Sequence, residues 1–129
     1  MKFTLRTMKK IYNEDTDSVE VKHGTIDCTL DTSLYAEQRW EKYFPDEASK
    51  SKLFDYVERL LNAKGEVSAR VYSLSMLKAV YCFIESDDLP EFKEFAQLFD
   101  MSDEQFAIET IKKLQHMFEI ALSSSATKN

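Results

Sequence analysis

A chain of 129 residues and 15.1 kDa, 43% hydrophobic and 12% aromatic, has the material for one packed domain and is too rich in Phe, Tyr and Leu to be disordered throughout. Its 17 Lys and Arg against 23 Asp and Glu give a net charge of -6, the reverse of the balance by which nucleic-acid binders neutralise phosphates. With only two Gly and two Pro, it has too few turn residues for a sandwich of many short strands.

The first third of the chain alternates. Phe3 and Leu5, Val19 and Val21, and then Ile26, Cys28 and Leu30 each stand between polar neighbours, the period of a strand with one apolar face. Residues 1–12 carry Lys2, Arg6, Lys9 and Lys10 and no acid. Residues 13–31 carry Glu14, Asp15, Asp17, Glu20, Asp27 and Asp31 against Lys22 alone. Such blocks of opposite sign suit neighbouring strands whose charges attract across the ladder. Asn13 to Ser18 reads as a polar loop and His23-Gly24 as a tight turn, giving a small antiparallel sheet of two or three strands. Met8, Ile11 and Tyr12 fit helix and strand spacing equally, so residues 7–12 stay open between the two.

From Asp31 the period turns helical. Asp31-Thr32-Ser33 can cap a first helix whose face is Ala36, Trp40, Tyr43 and Phe44. Pro45 ends it and suits the first turn of the next. Leu53, Val57, Leu60 and Leu61 form a second apolar face with Phe54 beside it, and Gly65 suits a left-handed exit. A third helix, residues 66–85, is apolar nearly all round through Val67, Val71, Leu74, Leu77, Val80, Tyr81, Phe83 and Ile84. It must therefore be surrounded by other elements. After Ser86-Asp87-Asp88-Leu89-Pro90, a short fourth helix carries Phe92, Phe95, Ala96 and Phe99. Ser102 with Gln105 reads as a capping box, with Met101 and Phe106 as staple, opening a fifth helix through Ala107, Ile111, Leu114, Phe118, Ala121 and Leu122. The expected fold is α+β, mainly α: an N-terminal antiparallel hairpin or small sheet, then about five helices around a central apolar one. Residues 1–122 read as one domain, β-rich over 1–31 and helical over 32–122, with 123–129 a flexible tail.

The chemistry-bearing residues do not converge. Cys28 and Cys82 stand far apart in apolar contexts; one disulfide between them is the alternative to the expected reading, two small buried hydrophobes in a reducing cytosol. His23 and His116 are the only histidines; neither shares a zinc spacing with a cysteine. No G-x-S-x-G elbow occurs, and two glycines cannot build a phosphate cradle. Asp87-Asp88 and Glu14-Asp15 read as solvated turns, the latter lacking the central Gly and terminal Glu of a calcium loop. The basic start is followed by no long apolar run, so it is not a signal peptide, and residues 71–84 are too short for a membrane span. We expect a cytoplasmic protein that is not an enzyme and has no metal or cofactor. Binding is the stronger expectation. Nine Phe, six Tyr and one Trp compete for a small interior, and apolar surface left over marks protein interfaces. The expected partner-binding residues are Leu34, Tyr35, Trp40, Tyr43 and Leu98.

The run from Leu30 to Pro45 (Leu-Asp-Thr-Ser-Leu-Tyr-Ala-Glu-Gln-Arg-Trp-Glu-Lys-Tyr-Phe-Pro), the run from Met76 to Ser86 and the stretch from Phe92 to Phe99 resemble tail assembly chaperones of long-tailed phages and prophages of Gram-positive bacteria. The likeness extends from Met1-Lys2-Phe3-Thr4-Leu5 to the last helix. It is a pattern of apolar and structural residues that carries over no site. It implies a mainly helical protein that coats the phage tape measure protein and keeps it soluble until tail tube protein polymerises and displaces the coat. It also implies self-association, absence from the finished virion, and in many members a longer frameshifted form. Thr127-Lys128-Asn129 is compatible with an adenine run in the gene, the kind of tract on which ribosomes slip. The expected partners are the tape measure protein, the tail tube protein and further copies of the chain, with no nucleic acid and no membrane. The rival readings are a head–tail connector or other structural virion part, and a small regulator binding a host protein or DNA.

Overall fold

Residues Lys2–Asn13 (β1) and Ser18–Leu30 (β2) form a single long antiparallel hairpin, in register from Lys2 opposite Thr29 to Asn13 opposite Ser18. The computed structural model describes residues 1–63, 69–86 and 88–123. The exit expected at Gly65, the helix start at Glu66 and Val67, Asp87 and the tail from Ser124 onward lie outside them, as does the side chain of Val71. The open stretch 7–12 is strand. The connection is the polar loop expected: the Asn13 side-chain oxygen accepts from the Asp15 and Thr16 N–H groups at 3.0 and 3.4 Å, and Asp17 takes the left-handed φ of 48° that closes the turn.

His23-Gly24 makes no turn. Both lie inside β2, opposite Met8 and Thr7. A Cβ on Gly24 would stand 3.0 Å from the Thr7 hydroxyl oxygen, so this glycine answers a close cross-strand approach, the other use of glycine in a strand. The sheet's third strand is instead the pair Ile84–Glu85 (β3), which meets Leu30 and Thr29 and gives the order β1-β2-β3. On the far side of β1, Met8 donates its N–H to the Leu98 carbonyl at 2.9 Å and accepts from the Asp100 N–H at 3.0 Å. Met8 is buried there, although it points to the face opposite Leu5.

Six helices follow. Leu34–Tyr43 (α1) begins at Ser33, whose hydroxyl accepts from the Tyr35 N–H, while Asp31 accepts from the Ser33 N–H. Pro45–Ala48 (α2) is a separate single turn with Pro in its first position, an element the sequence reading merged with the next. Leu53–Asn62 (α3) buries Leu53 and Val57. Its first turn is capped from a distance, since the Glu37 carboxylate of α1 accepts from the Leu53 and Phe54 N–H groups at 2.9 and 3.2 Å. Ala69–Phe83 (α4) is the central helix, touching α1, α3, α5 and α6. Met76, Ala79, Val80, Cys82 and Phe83 on it are fully buried, although Leu74 faces outward. Phe92–Ala96 (α5) ends before Phe99, which belongs to the bridge with Met8.

Glu104–Leu122 (α6) starts one residue later than the capping box predicts. Its cap is Asp103, whose carboxylate accepts from the Phe106 N–H at 2.8 Å. Ser102 instead donates its own N–H to Asp100, and Gln105 reaches forward to Glu109. A carboxylate is as good a cap as a hydroxyl and adds charge at the positive end of the helix. The core is contiguous from Phe3, Leu5 and Cys28 of the sheet to Phe106, Leu114, Met117 and Phe118 of α6. No helix among the described residues is long and apolar enough to cross a membrane.

Candidate protein-binding surface

The five residues expected to bind partners do not share one environment. Leu34 and Tyr35, in the first turn of α1, are 86% and 69% exposed. They are held out because Ala36 and Trp40 take the inward positions on the same helix. Tyr43, at the other end, is 42% exposed; its ring leans edge-on against Tyr81 at 5.3 Å, with the Lys42 ammonium 5.4 Å from its centroid. Trp40 is a correction. It is wholly buried, its indole N–H donates to the Ser51 carbonyl at 2.9 Å, and its ring packs on Tyr56 and Phe44. Sealed in this way, it has no surface to offer a partner. Leu98 is partly buried against the core, beside the bridge to Met8.

Around α1 the polar groups build structure. The Arg39 guanidinium donates to the Cys82 carbonyl at 2.7 Å and to Asp31 at 3.0 Å, tying the end of β2 and the end of α4 to α1. Burial pushes the Asp31 carboxyl up, but hydrogen bonds from Ser33 and Arg39 together outweigh it and leave its pKa below the ordinary value. The Lys78 hydrogen bond to Glu47 at 2.7 Å likewise lowers the Glu47 pKa. Burial raises both thiols, Cys28 to about 11 and Cys82 to about 12, so neither is a thiolate nucleophile at neutral pH. Both are free and buried. Among the described residues no three His, Cys, Asp or Glu side chains are grouped to hold a metal ion.

A second surface was missed. Residues 11–25, the outer part of the hairpin, are exposed throughout, forming an arm beyond the point where Lys10 meets Ser102. Tyr12 at 59%, Val19 at 57% and Val21 at 44% exposure lie on one face of it, since opposed residues share a face and Tyr12 faces Val19. Ile11 is exposed on the other. The alternation shows that these side chains share a face; nothing local shows whether that face is covered.

The charge blocks also behave differently from the expectation. Lys9 stands opposite Lys22, Lys10 opposite Val21 and Arg6 opposite Thr25, so bases do not meet acids across the ladder. Arg6 pairs with Glu109 of α6 at 2.7 Å, and Lys10 donates to Ser102. The basic strand is thus fastened to the helical body. No protein-family model, curated protein or solved structure matches the chain.

Proposed function

We propose that the protein is a non-catalytic tail assembly chaperone that covers the apolar stripes of a phage tape measure protein in the host cytoplasm and is left out of the finished particle. The resemblance from Leu30 to Pro45 motivates the reading. The observation that carries it is the outward display of Leu34 and Tyr35 on α1, at 86% and 69% exposure, within that same segment. Large apolar side chains on a helix anchored by Trp40 and Arg39 suit shallow, reversible contact with a partner helix. Many weak contacts along a rod are also easier for polymerising tube protein to strip than one tight contact.

The test is co-expression of the chain with a tape measure protein. The wild type is expected to raise the soluble fraction of its partner and to co-purify with it. A Leu34→Asp, Tyr35→Ser variant is expected to lose both effects while keeping its fold, because neither residue contributes to the core. Unchanged tape measure solubility with the wild type would refute the reading. A second reading, a structural part of the virion, is favoured by the exposed sheet edge of the hairpin arm. Mass spectrometry of purified particles separates the two, since a chaperone is missing from them.

A further inference from the structure

Among the described residues, no strand pairs with the outer edge of β2 over most of its length. β3 pairs only with Thr29 and Leu30, and residues 18–25 are all exposed. An edge of this kind presents a row of backbone N–H and C=O groups to any strand that fits. Charge decides which strand fits. Among the described residues neither Glu20 nor Lys22 has a side-chain hydrogen-bond or ion-pair partner, and Lys22 is set opposite Lys9, a repulsive arrangement within the chain.

We propose that two copies of this chain pair through β2, antiparallel and two-fold symmetric, centred on Val21, so that Glu20 of each copy lies opposite Lys22 of the other. The register follows from geometry. Directly opposed residues of an antiparallel ladder share a face, so a two-fold that continues the sheet must centre on a residue. Centred on Glu20 it would set carboxylate against carboxylate; centred on Lys22, ammonium against ammonium. Only the Val21 centre opposes acid to base, twice. The same register places Val21 against Val21 and Val19 against His23, on the face that carries Tyr12. The product is a four-stranded sheet in the order β1-β2-β2-β1, with the apolar side chains of two arms on one face. A lysine on an edge strand ordinarily blocks such pairing. Here the glutamate two residues away converts the blocking charge into one that selects the register.

This inference does not depend on the chaperone reading, and either can fail without the other. Its test is light scattering over a concentration series, up to about 100 μM to reveal weak association, with circular dichroism to verify the fold. Glu20→Lys and Lys22→Glu each create like-charge pairs at both positions, and each is expected to weaken dimerisation about tenfold or more. An equimolar mixture of the two variants restores complementary pairs, as does the double variant E20K/K22E; both are expected to dimerise like the wild type. Val21→Cys is expected to cross-link to itself on mild oxidation, because opposed residues of a ladder lie within disulfide reach, whereas Val19→Cys, opposed to His23, is not. Cys28 and Cys82 are buried and stay silent. A monomeric wild type would overturn the proposal, including the outcome in which the edge takes only a strand from another protein. So would single variants that dimerise as the wild type does, or a mixture that stays monomeric.

Discussion

Trp40 shows why an aromatic on a short helix can be read two ways. Its position four residues from Ala36 and from Phe44 marks the buried stripe of α1, yet a small domain with this many rings also suggests a surplus at the surface. The structure resolves the choice through a hydrogen bond. Ser51, in the connection after α2, supplies the carbonyl that the indole N–H needs inside the core, and nothing in the local sequence announces that partner. Trp40→Ala removes the ring and leaves the Ser51 carbonyl unpaired. It is expected to cost about 3–5 kcal/mol in urea unfolding, against about 0.5 kcal/mol or less for Tyr35→Ala at the surface.

Asp31 makes a second prediction at this scale, with a definite sign. Its folded pKa lies below the ordinary value, so the unfolded chain takes up the proton first as the medium is acidified. The stabilisation it provides is present above the unfolded pKa of about 4 and is lost as pH falls through the folded value. Glu47, lowered by Lys78, acts in the same direction. Asp31→Asn is expected to be less stable at pH 7 by about 1 kcal/mol and to show a shallower loss of stability as the pH falls below about 4, measured by denaturant titration at each pH. The cysteines should be inert to a thiol reagent in the native protein and react on unfolding, because both thiols are buried with raised pKa values.

Helix ends were legible as regions and less so as residues. The Asp31-Thr32-Ser33 cluster caps α1 as its composition suggests, because every acceptor needed is local. At α6 several side chains compete for the same N–H groups, and Asp103 wins over Ser102. Asp103→Ala is therefore expected to destabilise by about 1 kcal/mol. Ser102→Ala, losing exposed contacts with Lys10 and Asp100, should cost about 0.5 kcal/mol or less. The α3 start lay beyond sequence reading, since its cap, Glu37, comes from another helix sixteen residues earlier. Glu37→Ala is expected to cost about 1–2 kcal/mol in thermal or urea unfolding, since two helix N–H groups lose a charged acceptor. The hairpin divides along the same line. Phe3, Leu5 and Cys28 alternate into the core as their pattern suggests, but Val19 and Val21 continue the same kind of pattern into solvent. Alternation fixes which side chains share a face and leaves open what covers it.

At the scale of the whole molecule, an apolar helix enclosed by others and an N-terminal antiparallel sheet follow from periodicity and composition, because burial of α4 needs neighbours on every side. Surfaces are different, since exposure is decided by how long-range elements pack. Leu34 and Tyr35 could be singled out because they flank a well-marked buried stripe. The hairpin arm could not, because the body fills its interior without Tyr12, Val19 or Val21. The central claim is that the protein acts by lending apolar surface to another chain. The most direct measurement is the soluble fraction of a tape measure protein expressed alone, with the wild type, and with the Leu34→Asp, Tyr35→Ser variant. The account predicts high solubility and co-purification with the wild type only. Equal solubility in all three cultures would contradict it.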